Sequence, residues 1–340
     1  MIRRRALLGG SGVLIATAAP AQVPGWYASG MKQRALRFPG ADGATLAGTL
    51  VLPLRSEIQP VPGVVLIAGS GPTDRDGNNP LVPVKVDLLR LIAERLAAAG
   101  IATLRYDKRG IGQSTARPLS GLRDEERFFL WEHFVADAVA AYDELLRHTE
   151  IKPYATAFLG HSEGGLLALA ATNAMGTRRP PGLVLASTPG RPLRDIVHDQ
   201  IARNAPPFVA AADRIMSSIL DTGRVPPDIS PELQLVFPPH AGPFLKSALA
   251  FDPAAALVGT DSACLLIHGG ADAQIVPFAD IQPLLDALAK RAAPGEALVA
   301  PAVSHNLKAV SSPVDPGYGG PLAPPVGTKL AEWLAYLLRA

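Results

Sequence analysis

Short apolar runs recur along the chain, and each is bounded by glycine, proline or polar residues. They lack the alternation of apolar and polar positions that marks a half-exposed strand, so they indicate strands buried on both faces of a parallel sheet. Ahead of them, Arg34–Phe38 and Thr45–Val51 flank a glycine-containing turn and predict an antiparallel hairpin. The buried runs are Val64–Ala68, Ala102–Tyr106, Ala155–Leu159, Leu183–Ala186, Cys264–His268 and Ala297–Ala300.

Segments with helical periodicity separate these runs. Their apolar residues recur every three or four positions, which indicates helices with one buried face. The alternation of strand and helix predicts an α/β fold with a mostly parallel, doubly wound sheet. The clearest segments are Lys85–Ala99, Trp131–His148 and Lys329–Arg339.

Residues 190–258 interrupt the alternation. They contain two helix-like segments, Leu193–Arg203 and Ala210–Leu220, and proline-rich links such as Val225–Pro227. We therefore expect a helical cap inserted between two strands of a single domain that spans residues 32–340.

Composition excludes several classes of protein. Of the 340 residues 48% are hydrophobic, which is enough for a large core, and the net charge is only +2. Downstream of the N-terminus the chain has no basic stripe, so we expect no nucleic-acid partner. Cys264 is the only cysteine and lies in an apolar run, which indicates a core thiol and no intrachain disulfide. The histidines lack the spacing of metal ligands, so we expect no metal.

The first 21 residues are typical of an export signal. A basic group, Arg3–Arg5, precedes the apolar stretch Ala6–Ala19, and Ala19–Ala21 has the small-x-small pattern of a cleavage site. The paired arginines resemble the twin-arginine signal, and the stretch is too short for a stable membrane anchor. We expect a periplasmic or extracellular protein. The alternative is a cytosolic product that starts at Met31.

The strongest chemical motif is Gly160-His161-Ser162-Glu163-Gly164. It lies between a predicted strand and a predicted helix, Leu166–Ala174. A G-x-S-x-G turn at such a junction is a nucleophile elbow, which projects the serine hydroxyl above the sheet. Ser162 is therefore the candidate nucleophile.

A serine nucleophile needs a base, and the base needs an acid that orients it. In nucleophile-elbow enzymes the order along the chain is serine, acid, histidine. Asp272 follows the predicted strand Cys264–His268, at the edge where active sites of parallel sheets lie. His305 follows the last predicted strand and is the only histidine after Asp272. We expect Ser162, Asp272 and His305 to form a catalytic triad, and His161 and His268 to be structural.

Backbone amides must also bind the negative oxygen of the transition state. One is expected to be the N–H of Glu163, which follows the nucleophile. The other is expected from the glycine-rich loop after Val64–Ala68, with Ser70 as first choice and Gly71 as the alternative. In the same loop, Arg75 and Asp76 either contact substrate or brace the loop.

With these motifs, the chain resembles members of the α/β-hydrolase superfamily. Residues 107–114 (Asp-Lys-Arg-Gly-Ile-Gly-Gln-Ser) match a D-x-R-G-x-G-x-S segment found in many members. Residues 69–77 and the elbow are similar to a bacterial esterase subgroup near the dienelactone-hydrolase and serine-aminopeptidase-like families. Where members usually have His-Gly, this chain has Ala68-Gly69, which leaves the second oxyanion donor open.

The resemblance implies an α/β-hydrolase fold and hydrolysis of small-molecule carboxylic esters without a cofactor. Asp107 and Arg109 are expected to be structural. Two alternatives remain open. A serine-aminopeptidase-like peptidase would need an acid for the substrate amine, such as Glu163 or Asp213 of the cap. A non-catalytic binding protein of the same fold would usually lack one member of the triad.

Overall fold

The computed structural model describes residues 13–14, 30–114, 119–312 and 315–339. The predicted signal peptide and the basic group Arg3–Arg5 therefore lie outside the described residues, except for Val13 and Leu14. These two residues form a short strand beside the last strand of the sheet.

Nine strands of the described residues form one sheet in the order β1-β9-β8-β7-β6-β4-β5-β3-β2. Neighbouring strands are parallel, except that β3 is antiparallel to both β2 and β5. The predicted mostly parallel sheet and the predicted hairpin, β2–β3, are confirmed. The strands are β1 Val13–Leu14, β2 Met31–Pro39, β3 Thr45–Pro53, β4 Val61–Ile67, β5 Ala102–Tyr106, β6 Ile151–His161, β7 Gly182–Ala186, β8 Ala263–Gly269 and β9 Gly295–Ala300.

Helices connect the strands and cover both faces of the sheet. They are α1 Leu88–Ala98, α2 Leu122–Phe128, α3 Trp131–Leu146, α4 Glu163–Ala174, α5 Leu193–Asn204, α6 Val209–Thr222, α7 Pro231–Gln234, α8 Gly242–Ala250, α9 Pro253–Val258, α10 Gln282–Lys290 and α11 Pro324–Leu337. No helix in the described ranges is both long enough and apolar enough to cross a membrane.

Successive residues of β4 enter two different cores. Val61, Val65 and Ile67 pack into the core on one face of the sheet, and Val64 and Leu66 pack into the core on the other. All five are buried. Burial on both faces is the physical reason why the strand sequences are apolar without alternation.

Five helices, α5–α9, lie between β7 and β8 and form the helical cap expected at this point. The cap has a core of its own, which includes Met216, Ile219 and Phe237. It is joined to the sheet domain by aromatic contacts, among them Trp131 with Phe244 at 5.5 Å between ring centroids. The cap is therefore packed against α3.

Several predicted helix starts were wrong. The helix predicted from Lys85 begins at Leu88, because Asp87 adopts a left-handed conformation (φ 53°) and its carboxylate accepts from Asn78 and Arg90. The helix predicted from Lys329 begins five residues earlier, at Pro324. Proline is tolerated there because the first turn of a helix does not need its N–H.

Candidate active site

Ser162 lies at the sharp turn between β6 and α4. Its backbone has φ 55° and ψ −122°, a conformation that non-glycine residues rarely adopt and that marks functional sites. Its N–H donates to the carbonyl of Ala186 at the end of β7, which holds the turn against the sheet. This is the geometry expected of a nucleophile elbow.

Two glycines at the start of α4 allow this helix to pack closely against the sheet. A Cβ atom at Gly164 would overlap the carbonyl oxygen of Ile67, and one at Gly165 would overlap the side chain of Thr188. Helix α4 can therefore approach β4 and β7 only because both positions lack a side chain.

Asp272 and His305 form a hydrogen-bonded pair at the carboxyl edge of the sheet. His305 Nδ1 lies 2.7 Å from Asp272 Oδ2. The other carboxylate oxygen accepts from the amides of Gln274 and Ile275 at 2.8 and 2.9 Å. Burial raises the pKa of Asp272, but the charge and hydrogen bond of His305 outweigh it and leave the pKa below its usual value. An ionised Asp272 can hold the imidazole in one orientation.

The loop that carries His305 is attached to the elbow. The carbonyl oxygen of His305 accepts from His161 Nε2 and from Ser187 Oγ, both at 2.9 Å. The rings of His161 and His305 are 4.8 Å apart between centroids. Because His161 directly precedes Ser162, the structure brings the predicted base and the predicted nucleophile to the same place. Among the described residues, Ser162 and His305 are not hydrogen-bonded to each other. The link between their two segments is the bond from His161 to the His305 carbonyl.

His161 has a structural role that the sequence only partly indicated. Burial lowers its pKa to about 3, with a smaller contribution from the charge of His305. It is therefore neutral at physiological pH and donates one N–H to the backbone. His268, also expected to be structural, is buried and lies with its Nε2 2.9 Å from the Ile275 carbonyl oxygen and 3.3 Å from Asp272 Oδ2.

The two amides predicted as oxyanion donors belong to segments that adjoin the nucleophile. Glu163 is the first residue of α4, and Ser70 follows Gly69 in the loop after β4. A Cβ atom built at Gly69 would lie 3.4 Å from Ser162 Cβ, so this loop is in contact with the elbow. Neither amide donates a hydrogen bond to any described part of the chain. Among the described residues, both N–H groups therefore remain available to a bound ligand.

Arg75 and Asp76 brace the loop. The backbone N–H and the guanidinium of Arg75 donate to Asp107 at 2.8 and 2.6 Å, and Asp76 accepts from Arg105 Nε at 2.7 Å. Arg75 and Asp76 were expected either to contact substrate or to brace the loop, and these contacts show bracing. Asp107 therefore holds the loop after β4, Gly69–Asn78, to the end of β5.

Arg109 is fully buried and forms an ion pair with Asp137, with Nη2 2.7 Å from Oδ1. It also donates to the carbonyl of Phe128. These contacts fix the turn after β5 and lie away from the elbow, as expected for a structural residue.

Lys108 lies between Asp107 and Arg109 in the sequence. Its contacts were missed by sequence reasoning. Its Nζ donates to the Gly69 carbonyl oxygen at 2.6 Å and lies 3.3 Å from Glu163 Oε1. The three residues are far apart in the sequence, and no motif spacing connects them. A charged residue inside the segment 107–114 was the only signal available.

Cys264 is not a competing nucleophile. Burial raises the pKa of the Cys264 thiol to about 12, so it stays protonated. Among the residues with described positions, no group of three or more histidine, cysteine or acidic side chains is arranged to hold a metal ion.

Comparison with known proteins agrees with this architecture. Residues 86–240 match the family model described as serine aminopeptidase, S33. That segment contains the elbow but neither Asp272 nor His305. Esterase EstD of Thermotoga maritima is 29% identical over 234 residues, which cover 68% of this chain and 50% of the relative. The chain thus aligns with half the length of the relative it matches.

Solved structures with a similar fold include Est1E and an acetyl xylan esterase. Est1E from Butyrivibrio proteoclasticus, solved with ferulic acid, has a TM-score of 0.57 and 17% identity, and the alignment covers 89% of this chain and 99% of that one. Acetyl xylan esterase from Paenibacillus sp. R4 has a TM-score of 0.58 and 20% identity, with 92% and 86% covered. At such identities the likeness shows the fold. Together with the strand order and the sharp turn at Ser162, these matches show that the chain has the α/β-hydrolase fold.

Proposed function

We propose that this protein is a serine carboxylesterase in which Ser162, His305 and Asp272 act as a triad. The observation that carries the proposal is the attachment of the Asp272–His305 pair, through His161, to the turn that bears Ser162. The relative and the solved structure that are named as esterases support the same reaction type.

The geometry supports an acyl-enzyme mechanism. The Ser162 hydroxyl attacks the ester carbonyl while His305 Nε2 accepts its proton, and Asp272 stabilises the imidazolium that results. The carbonyl oxygen becomes negative and accepts from the amides of Ser70 and Glu163. His305 then gives the proton to the leaving alcohol. A water molecule, deprotonated by the same histidine, releases the acid from Ser162.

The two acids considered for a peptidase already have basic partners. Glu163 lies beside Lys108, and the Asp213 carboxylate lies 2.8 Å from His198 Nδ1. Each would have to exchange its partner for the ammonium group of a peptide substrate. This favours esters over aminoacyl substrates.

Hydrolysis of p-nitrophenyl esters tests the proposal. We expect the purified protein to cleave the acetate and butyrate esters, and Ser162→Ala to abolish the activity. Ser217→Ala, at an exposed serine of α6 in the cap, is the matched control and should be unaffected. Undiminished hydrolysis by Ser162→Ala would refute the assignment of the nucleophile. The names of the relatives make acetylated xylan and feruloyl esters useful additions to a substrate panel.

An aminopeptidase is the second candidate, because the matched family model is described as serine aminopeptidase. Aminoacyl p-nitroanilides should be poor substrates under our proposal. Faster cleavage of these amides than of the esters would favour the peptidase. A protein that is folded but is not labelled at Ser162 by a fluorophosphonate would instead be a non-catalytic binding protein of the same fold.

We further propose that the protein is exported. The basic group, the apolar stretch and the small residues before residue 22 support this. N-terminal sequencing of the protein from fractionated cells should find a mature chain beginning at Gln22 outside the cytoplasm. A cytosolic chain beginning at Met31 would contradict the proposal.

A further inference from the structure

Lys108 is a buried lysine that the proposed mechanism does not use. It lies two residues after the end of β5, and only 4% of its side chain is exposed. Burial of an ammonium group is costly unless the group is paired and hydrogen-bonded. Its partners, the Gly69 carbonyl and the Glu163 carboxylate, belong to the two segments that supply the proposed oxyanion donors.

The bond to Gly69 acts on the peptide unit that contains one of these donors. The Gly69 carbonyl and the Ser70 N–H are parts of the same planar group and point in opposite directions when the peptide is trans. A donor that fixes the direction of the carbonyl therefore fixes the direction of the N–H. Within the described residues, Lys108 is the only side chain that donates to the Gly69 carbonyl.

The ammonium group of Lys108 also makes the Ser70 N–H a stronger hydrogen-bond donor. Hydrogen bonds to a charged donor are stronger than neutral ones. A peptide whose carbonyl accepts such a bond is polarised, and its own N–H becomes a better donor. The effect is largest in a buried site, where water does not screen the charge.

The second contact joins the same ammonium group to the elbow. Glu163 is the residue whose backbone N–H is the other proposed donor, and its carboxylate lies 3.3 Å from Lys108 Nζ. Lys108 thus contacts two segments at once. One is the loop after β4, Gly69–Asn78, here called the oxyanion loop, and the other is the start of α4.

We propose that Lys108 is a positioning residue of the oxyanion hole, which orients and polarises the Gly69–Ser70 peptide toward the reacting carbonyl. This inference rests on the proposed hydrolase function, because it requires an oxyanion. Lys108 itself does not touch the substrate. Its contribution is realised only in the transition state, when the carbonyl oxygen becomes negative.

Two substitutions test the role. Lys108→Met keeps the apolar stem and removes the charge and the hydrogen bond. Lys108→Arg keeps a charged donor. Loss of an oxyanion donor costs about 10²–10³ in rate. Lys108→Met leaves the Ser70 N–H in place, but the peptide that carries it is free to turn. We therefore expect kcat to fall roughly 10- to 100-fold, with KM little changed. Lys108→Arg should recover part of the loss.

Rates are normalised to the active sites titrated with a fluorophosphonate, so that misfolded protein does not count. A trifluoromethyl ketone, which forms an oxyanion on the serine, supplies a second measurement. Its inhibition constant should weaken by the same factor as kcat/KM falls, since both depend on the same oxyanion contacts. A lysine with a merely structural role would lower the number of titratable sites and leave both values per site unchanged.

Lys308 provides a matched control. It is also buried, and its Nζ donates to the carbonyls of Val86 and Tyr318, outside the oxyanion loop and the elbow. Lys308→Met should lower stability but change kcat per active site by no more than about threefold, since no oxyanion donor is affected. An equal loss of kcat in both variants would overturn the inference.

The two proposals fail in different ways. If the wild-type protein hydrolyses no ester and its Ser162 is not labelled, the proposed esterase function is wrong. If the wild type is active and Lys108→Met keeps the wild-type kcat and inhibitor affinity per active site, only the role of Lys108 is wrong.

Discussion

His305 Nδ1 lies 2.7 Å from Asp272 Oδ2, while the second oxygen of that carboxylate accepts two backbone amides. The Asp272 carboxylate thus accepts hydrogen bonds on both oxygens, and these bonds favour its ionised form. With the proton held on Nδ1, the other imidazole nitrogen of His305 is left free of hydrogen and can act as a base.

Asp272→Asn should leave the fold intact and reduce kcat about 10⁴-fold, because an amide in this place stabilises the wrong tautomer of the histidine. Steady-state kinetics on p-nitrophenyl butyrate measures the loss. Asp280→Asn is a suitable control, since this buried aspartate accepts from Val276 and Arg191 and does not pair with His305. A loss of similar size at Asp280 would show that the effect is not specific to the triad.

Acid sensitivity of the fold should depend on His161. Its pKa is lowered to about 3 by burial, whereas the unfolded chain takes up that proton near pH 6.5. Between these values the unfolded state binds the extra proton, so the free energy of unfolding falls as the pH falls. Stability from this residue is fully present above about pH 6.5.

His161→Gln lacks this titration and keeps a donor for the His305 carbonyl. Urea unfolding from pH 7.5 to 4 should show a wild-type slope steeper than that of the variant by up to about 1.4 kcal/mol per pH unit. Some acid sensitivity should remain in the variant, because burial also lowers the pKa of His268. Parallel profiles for the two proteins would contradict the prediction.

Sequence reasoning selected the three residues of the proposed triad by simple rules. Ser162 is in a local motif, and Asp272 and His305 each follow a buried strand, so the topology of a parallel sheet brings them to one edge. Lys108 obeys no such rule, since its partners come from two other segments of the chain. Asp87 shows a second limit, because the contacts that shift the start of α1 depend on the loop packed against it.

The oxyanion loop should tolerate a change of side chain at Ser70 because the proposed donor is the backbone N–H. Ser70→Ala should keep kcat within about threefold of the wild type, far from the 10²–10³-fold loss expected when a donor is removed. The Ser70 side chain is exposed, so stability should hardly change. A loss of about 100-fold would indicate that the hydroxyl is the donor.

Packing at the elbow should distinguish two glycines that look alike in the sequence. Gly164→Ala places a methyl group against the backbone carbonyl of Ile67, which cannot move without shifting β4. Gly165→Ala instead meets the Thr188 side chain. Both substitutions should destabilise the protein by more than about 1–3 kcal/mol, the usual cost of overpacking a core.

Only the stability lost in Gly165→Ala should be recovered by a second substitution. Thr188→Ala removes the γ atoms that a methyl group at residue 165 would meet, so the double variant with Gly165→Ala should recover much of the lost stability. Thr188→Ala combined with Gly164→Ala should recover nothing, because the obstacle there is main chain. Urea unfolding of the single and double variants measures both coupling energies. Equal rescue of the two glycine variants would show that relief at Thr188 loosens the whole elbow, and that the separate contacts of Gly164 and Gly165 do not determine its shape.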